Sequence, residues 1–266
     1  MLDTKNGRFD VVQEWRQPVV ERPVDADIPR QRGRVSRYLV DVFEASEDEN
    51  KRVILEAVAA GPPRDRVLDL GCYNGAFTRD LADAARAKEV VGIEWIPEHA
   101  EAARAHGVDV VEADLNEPLH LPVGAFDLVH ANQVIEHLRG TDAFLREAAR
   151  VCAPGGRVVL STNNLASWHN VASLVAGYQP LPSHVSDEVH VGNPLDPRRG
   201  THHVDIGQTH LRVFTLRALT ELAEAQGMRV KGVHMNGYYP LPPRAARWAA
   251  RIDPRHAAFM VVELAP

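Results

Sequence analysis

The run Val67-Leu68-Asp69-Leu70-Gly71-Cys72-Tyr73-Asn74-Gly75-Ala76-Phe77-Thr78 constrains the fold more than any other stretch of the chain. A short apolar segment ends in an acid, a glycine turn follows, and a helical pattern begins. That order describes a buried strand feeding a helix across a tight turn. The alternation then repeats. Strands are expected over residues 66–70, 89–94, 108–113, 126–131 and 156–161, interleaved with helices over 76–87, 97–106 and 142–152. This spacing implies parallel βαβ units on one sheet, an α/β doubly wound fold. Ligands of such sheets bind at the carboxyl ends of the strands.

The flanks read differently. Residues 1–50 are polar, and Pro18, Pro23 and Pro29 break any early helix, so they form an N-terminal cap on a domain spanning 51–266. A helix over 49–60 opens that domain and stops at Gly61-Pro62-Pro63. After Thr162 come a helix over 166–178, a helix over 215–226, a strand over 228–235, a helical insert over 243–252 and a last strand over 257–264. Residues 179–208 carry Pro180, Pro182, Pro194 and Pro197. A connection this long inside a compact domain is a lid, a binding loop or a disordered segment. The lid insertion is placed at about 163–214.

Three strand ends carry acids. Asp69 closes the first strand, where its carboxylate suits a cationic ammonium. Gly71 and Gly75, lacking a Cβ, let the backbone turn tightly and approach a ligand. Neither G-x-G-x-x-G nor G-K-[ST] is present, and an acid in the turn repels pyrophosphate. The loop therefore suits a nucleoside with a zwitterionic tail. Glu94 ends the second strand and can accept both hydroxyls of a ribose. Trp95 follows, with a face for an adenine ring. Asp114 and Leu115 follow the third strand, where a carboxylate can meet an exocyclic amine, and Asn132 ends the fourth beside the same cleft.

The chain has 266 residues and a net charge of −6, which argues against a broad basic nucleic-acid surface. No apolar run approaches the roughly 18 residues of a membrane span. The N-terminus lacks the apolar core of a signal peptide. Two cysteines, Cys72 and Cys152, form no C-x-x-C pair, so a reducing, cytoplasmic compartment is expected.

With these motifs in place, the chain resembles the class I S-adenosylmethionine-dependent methyltransferases over roughly residues 50–235. The resemblance rests on Asp69-x-Gly71-x-x-x-Gly75, Glu94, Asp114, Asn132 with Glu136-His137, and Ala153-Pro154-Gly155-Gly156. It implies a Rossmann-like seven-stranded sheet of order 3-2-1-4-5-7-6 with strand 7 antiparallel. It implies S-adenosyl-L-methionine as cofactor and S-adenosyl-L-homocysteine as product. Asp69, Gly71, Cys72 and Gly75 would surround the methionine part, Glu94 the ribose, and Trp95, Asp114 and Leu115 the adenine. Tyr73 stands where the family usually has a second glycine, so its side chain must point away from the cofactor or cover it.

A sulfonium methyl is already activated, so the protein must chiefly hold a nucleophile in line. A hydroxyl acceptor also needs a base or a metal. Glu136, His137 and His210 are the candidate catalytic residues, with Arg212 able to bind an acidic group. Relatives that use magnesium carry a second glutamate three residues before Glu136. Here that residue is Gln133, a poorer ligand for a hard cation, and no metal is expected. The loop histidines His184, His190, His202 and His203 read as a solvated lid, and Cys72 as a small packing residue within the cofactor loop. The basic segment Arg30, Arg32, Arg34 and Arg37 reads as a solvated helix face. Arg244, Arg247, Trp248 and Arg251 read as plain surface that permits membrane or nucleic-acid contact. The expected reaction is methyl transfer to a small-molecule acceptor, with O-methylation favoured by the histidines. The alternatives are an RNA methyltransferase and a non-catalytic binder of the cofactor.

Overall fold

A computed structural model describes residues 33–203 and 209–266. Residues 1–32 of the expected cap, with Arg30 and Arg32, and residues 204–208 lie outside the described residues. Among the described residues, helix α1 (Arg34–Ala59) leads into β1 (Arg66–Leu70), α2 (Ala76–Ala85), β2 (Glu89–Glu94), α3 (Pro97–Ala105) and β3 (Asp109–Glu112). The chain continues through β4 (Phe126–Asn132), α4 (Thr141–Val151), β5 (Cys152–Asn163) and α5 (Trp168–Val175). It ends with α6 (Leu216–Ala225), β6 (Arg229–Asn236), α7 (Pro243–Ile252) and β7 (Phe259–Ala265). The seven strands form one sheet in the order β3-β2-β1-β4-β5-β7-β6. β1 to β5 pair in parallel, and β7 lies antiparallel to both β5 and β6.

Both faces of this sheet are covered, so alternate strand residues point into two different cores. Leu68, Val129, Leu160 and Met260 pack on one side with Leu145 and Leu219 of α4 and α6. Val67, Leu128, Val159 and Val261 face the other side, against Ile54 and Val58 of α1 and Leu81 of α2. The near-continuous apolar runs of the sequence are this two-sided burial.

Local chemistry sets the strand-to-helix turns. Gly71 lies at φ +83° and Gly75 at φ +79°, both in the left-handed region. A Cβ on Gly75 would stand 2.8 Å from the Ala103 Cα, so α3 can pack only against a glycine. Asn74 Oδ1 accepts the Ala76 N–H at 3.1 Å and starts α2. Thr215 Oγ1 accepts from the Ala218 N–H at 3.2 Å and caps α6.

The first helix begins at Arg34 rather than at residue 49, because its prolines all lie upstream. Its second half covers the sheet. Residues 34–49, read as irregular cap, continue as helix past the carboxyl ends of the strands. Asn50 marks the crossing: its Nδ2 donates to Asn132 Oδ1 (3.0 Å) and Ser161 Oγ (2.9 Å), and its Oδ1 accepts from Asn236 Nδ2 (3.1 Å). The helix expected over 166–178 shortens to Trp168–Val175, and the strand expected over 156–161 lengthens to Cys152–Asn163. Cys152 pairs with Phe126 ahead of an irregularity before Leu128, a register that strand alternation alone does not reveal.

Candidate active site

The acids at the ends of β1 and β2 flank the Gly71–Gly75 turn. Glu94 is 7% exposed and collects three backbone donors: Tyr73 N–H at Oε2 (3.0 Å), and Trp95 and Ile96 N–H at Oε1 (2.9 and 3.0 Å). An ionised carboxylate accepts about four hydrogen bonds, so Oε2 keeps capacity for a hydroxyl. Trp95 is half exposed beside it. Asp114 Oδ1 is committed to Asn116, from backbone (2.8 Å) and side chain (2.9 Å). A Cβ on Gly71 would meet Val134 at 2.7 Å and lie 4.0 Å from Leu115, so these two side chains wall the turn.

Three of the predicted residues make contacts within the protein. Asp69 is buried, and both its oxygens are engaged: Oδ2 accepts from Thr78 Oγ1 (2.6 Å) and Oδ1 pairs with His130 Nδ1 (2.7 Å). It braces the turn from below. The Cys72 side chain turns away from the cleft into a cluster with Ala100, Ala103, Val108 and Val110. Burial, with Asp69 and Glu94 adding to it, pushes its thiol up to about 12. The side chain is thus the small packing residue expected, within the cofactor loop. Asn132 is tied to Asn50 and so anchors α1. Tyr73 takes φ +48°, half exposed, with its ring 4.2 Å from that of His99. Its side chain lies along α3, outside the turn.

The second group of residues gathers past β4. Gln133 at φ +55° turns the chain into a short 3-10 turn, Ile135–His137. Glu136 is 1% exposed, and neither of its oxygens has a hydrogen-bond partner among the described residues. Burial pushes its carboxyl up to about 7; Thr162 and Asn163 lie close enough to soften the shift. The lid returns onto this turn. Leu211 and Arg212 N–H donate to the Glu136 carbonyl at 2.8 and 3.2 Å, and Arg212 donates to the Leu138 and Arg139 carbonyls. Arg212 thus staples the lid to this turn.

That return brings His210 to His137, with ring centroids 4.7 Å apart. Each ring donates Nδ1–H to a carbonyl, His137 to Thr209 (3.2 Å) and His210 to Pro182 (2.8 Å). His210, which burial keeps neutral, therefore carries its lone pair on Nε2. Ligand atoms of Glu136, His137 and His210 lie within 4.8 Å of one another, a candidate metal centre that the neutral Gln133 had argued against. Gln133 itself accepts from Asn163 Nδ2 at 2.7 Å.

Three of the four loop histidines are not a solvated fringe; His202 is exposed, as expected. His184 stacks on His210 at 4.7 Å and meets His190 and His203 at 5.2 and 4.9 Å. Burial pushes His184 and His190 down to about 4 and His210 to about 3; neighbouring imidazoles and Arg198 add to the shift, and Asp196 opposes it at His184 and His190. The sequence shows thirteen histidines but not that the lid folds them onto the β4 turn. A histidine depressed in the folded state stabilises it above the unfolded value near 6.5, and this support is lost as pH falls towards the folded value. Proteolysis within residues 179–210 is therefore expected to accelerate as pH falls from about 6.5 to 4, ahead of cleavage in the sheet.

The sequence profile described as the methyltransferase domain matches residues 42–231. A ubiquinone biosynthesis O-methyltransferase of Xanthomonas oryzae pv. oryzae is 28% identical over 207 residues, covering 74% of this chain and 75% of that protein. A trans-aconitate 2-methyltransferase of Methylobacterium radiotolerans is 29% identical over 205 residues, covering 71% and 78%. Among solved structures, an S-adenosylmethionine-dependent methyltransferase from Mesorhizobium loti shares the fold at a TM-score of 0.53 and 21% identity, over 79% of this chain and 94% of that one. Sheet order, strand-end acids and profile agree: the chain belongs to the methyltransferase domain family and is a class I enzyme that uses S-adenosylmethionine.

Proposed function

We propose that the enzyme methylates a hydroxyl of a small organic acceptor held between the β4 turn and the lid. The observation that carries this reading is Glu136, a buried carboxyl without a hydrogen-bond partner among the described residues, raised to about 7 beside two histidines. A carboxyl poised near neutrality can take the acceptor's proton as the methyl transfers. His210, pushed down to about 3, stays neutral and is a weak base, so its part is to orient the acceptor. S-adenosylmethionine supplies the activated methyl. Glu94 would hold its ribose, Trp95, Asp114 and Leu115 its adenine, and the Gly71–Gly75 backbone its methionine part, with Asp69 holding that backbone in place. The names of the two relatives, one for O-methyl transfer in ubiquinone biosynthesis and one for trans-aconitate, support a small acceptor.

The test is transfer of labelled methyl from S-adenosylmethionine to a panel of small phenols, aliphatic hydroxyl compounds, carboxylic acids and amines, with bulk RNA alongside. Label is expected on hydroxyl compounds. Label on RNA alone would select the nucleic-acid reading, which the net charge of −6 disfavours.

A second reading has its own observation. Glu136 with His137 and His210 fits a divalent cation, because a bound charge would relieve the buried carboxylate. Such an ion would lower the pKa of a bound hydroxyl. Turnover is expected to survive dialysis against a chelator if Glu136 is the base. Loss of turnover, restored by magnesium, manganese or zinc, selects the cation instead.

A further inference from the structure

We propose that α7 and its flanks form a peripheral docking surface for an anionic phospholipid bilayer. Among the described residues, no helix is long and apolar enough to cross a membrane, so the contact is with the surface. The inner face of α7 is alanine only, with Ala246 and Ala250 buried. At 3.6 residues per turn its outer arc runs, in angular order, through Arg247, Arg251, Arg244, Trp248 and Ile252. One flank is cationic and the other apolar. Trp248 is 67% exposed and Ile252 63%, and Leu241 just before the helix is also exposed. No acid lies on the helix, and Arg255 follows it, exposed. The nearby acids are engaged. Glu49 pairs with Arg247 at 3.4 Å, and Asp253 accepts from Trp168 Nε1 (2.8 Å) and Tyr238 Oη (2.9 Å). Arg244, Arg247, Arg251 and Arg255 thus outnumber Glu49 and Asp253 on and beside this helix, in a chain whose net charge is −6.

A helix with this arc lies in the plane of a bilayer interface, its apolar flank among the acyl boundary and its arginines at the headgroups. Tryptophan suits that depth, with an apolar body and a polar N–H. Nucleic acid would be served by the arginines and by stacking on Trp248, but not by Ile252 and Leu241. Placement agrees. α7 joins the end of β6 to the start of β7, and Phe259 there pairs with both Asn236 and Asn163. The helix is thus at the carboxyl end of β5, the end of the sheet that carries Glu94 and Glu136. Docking would turn the cleft towards the bilayer, so that an acceptor dissolved in it could enter; this last step rests on the small-acceptor reading, the docking does not.

The experiment floats the full chain with vesicles of phosphatidylcholine alone and with vesicles containing phosphatidylglycerol. Capture by the anionic vesicles only is expected, weakening as salt rises. The double variant Arg244→Glu/Arg251→Glu should lower the bound fraction about tenfold or more, and Trp248→Ala several-fold. Arg229→Glu makes the same kind of charge change at the far end of β6 and should leave capture intact. S-adenosylmethionine affinity, measured in parallel, should be unchanged in all three variants and shows that they are folded. No capture by anionic vesicles, equal capture of the double variant, or binding of bulk RNA in place of vesicles would overturn the proposal.

Discussion

Glu94→Ala is expected to weaken S-adenosylmethionine binding about 100-fold, read by calorimetric titration of the cofactor-free protein. Two losses combine. The carboxylate would no longer accept from the ribose, and a charge-assisted hydrogen bond contributes about 1.5–3 kcal/mol. The same carboxylate ties Tyr73 N–H of the glycine turn to Trp95 and Ile96 N–H after β2, so removing it also loosens the turn proposed to hold the methionine part. About 3 kcal/mol in total corresponds to roughly 100-fold in affinity. Glu94→Gln should behave nearly as badly, since its amide offers one acceptor oxygen to three donors and sets an N–H against another. Normal affinity in Glu94→Ala would remove the nucleotide from the end of β2. NAD serves as the control ligand and should not bind, because the turn lacks the phosphate fingerprint and holds a carboxylate beneath it.

The strand-end acids were legible in the sequence because a parallel sheet presents every strand's carboxyl end on one side. Local motifs then add up without knowledge of long-range packing. Elsewhere the sequence misled where a residue's partner lies far along the chain. Asp69 takes His130 of the neighbouring strand as a partner, and nothing in Phe126-Asp127-Leu128-Val129-His130 marks that histidine as inward. Asn50 looks like one polar residue on a helix, yet it ties α1 to the ends of β4, β5 and β6. The histidines of the lid lie up to 73 positions from His137, and only tertiary folding brings the rings together. What local pattern encodes was readable. What depends on loop closure was not.

Glu136→Gln separates function from stability, because the same burial that tunes this carboxyl also strains the fold. As base, Glu136 acts in its ionised form. The wild-type rate should therefore fall as pH drops below about 7, the value to which burial raises it. The glutamine variant should lose about 10²- to 10⁴-fold in kcat, the usual range for a general base, at unchanged cofactor affinity. Stability moves the other way. In the unfolded chain the carboxyl ionises near 4.5, in the folded protein near 7, so the folded state is favoured fully below 4.5 and that support is lost as pH rises to about 7. A shift of this size corresponds to roughly 3 kcal/mol above pH 7. Glutamine cannot ionise and escapes this cost, although its buried amide brings a cost of its own that does not vary with pH. The decisive readout is accordingly the difference in Tm between variant and wild type. It should grow in favour of glutamine between about pH 4.5 and 7, by on the order of 10 °C, and stay level above. A difference that does not vary with pH would mean that the carboxyl is not uncompensated in solution. If magnesium, manganese or zinc shifts the acid limb of the wild-type rate to lower pH and flattens the Tm difference, a cation is satisfying Glu136. If neither moves, the carboxyl works alone as the base.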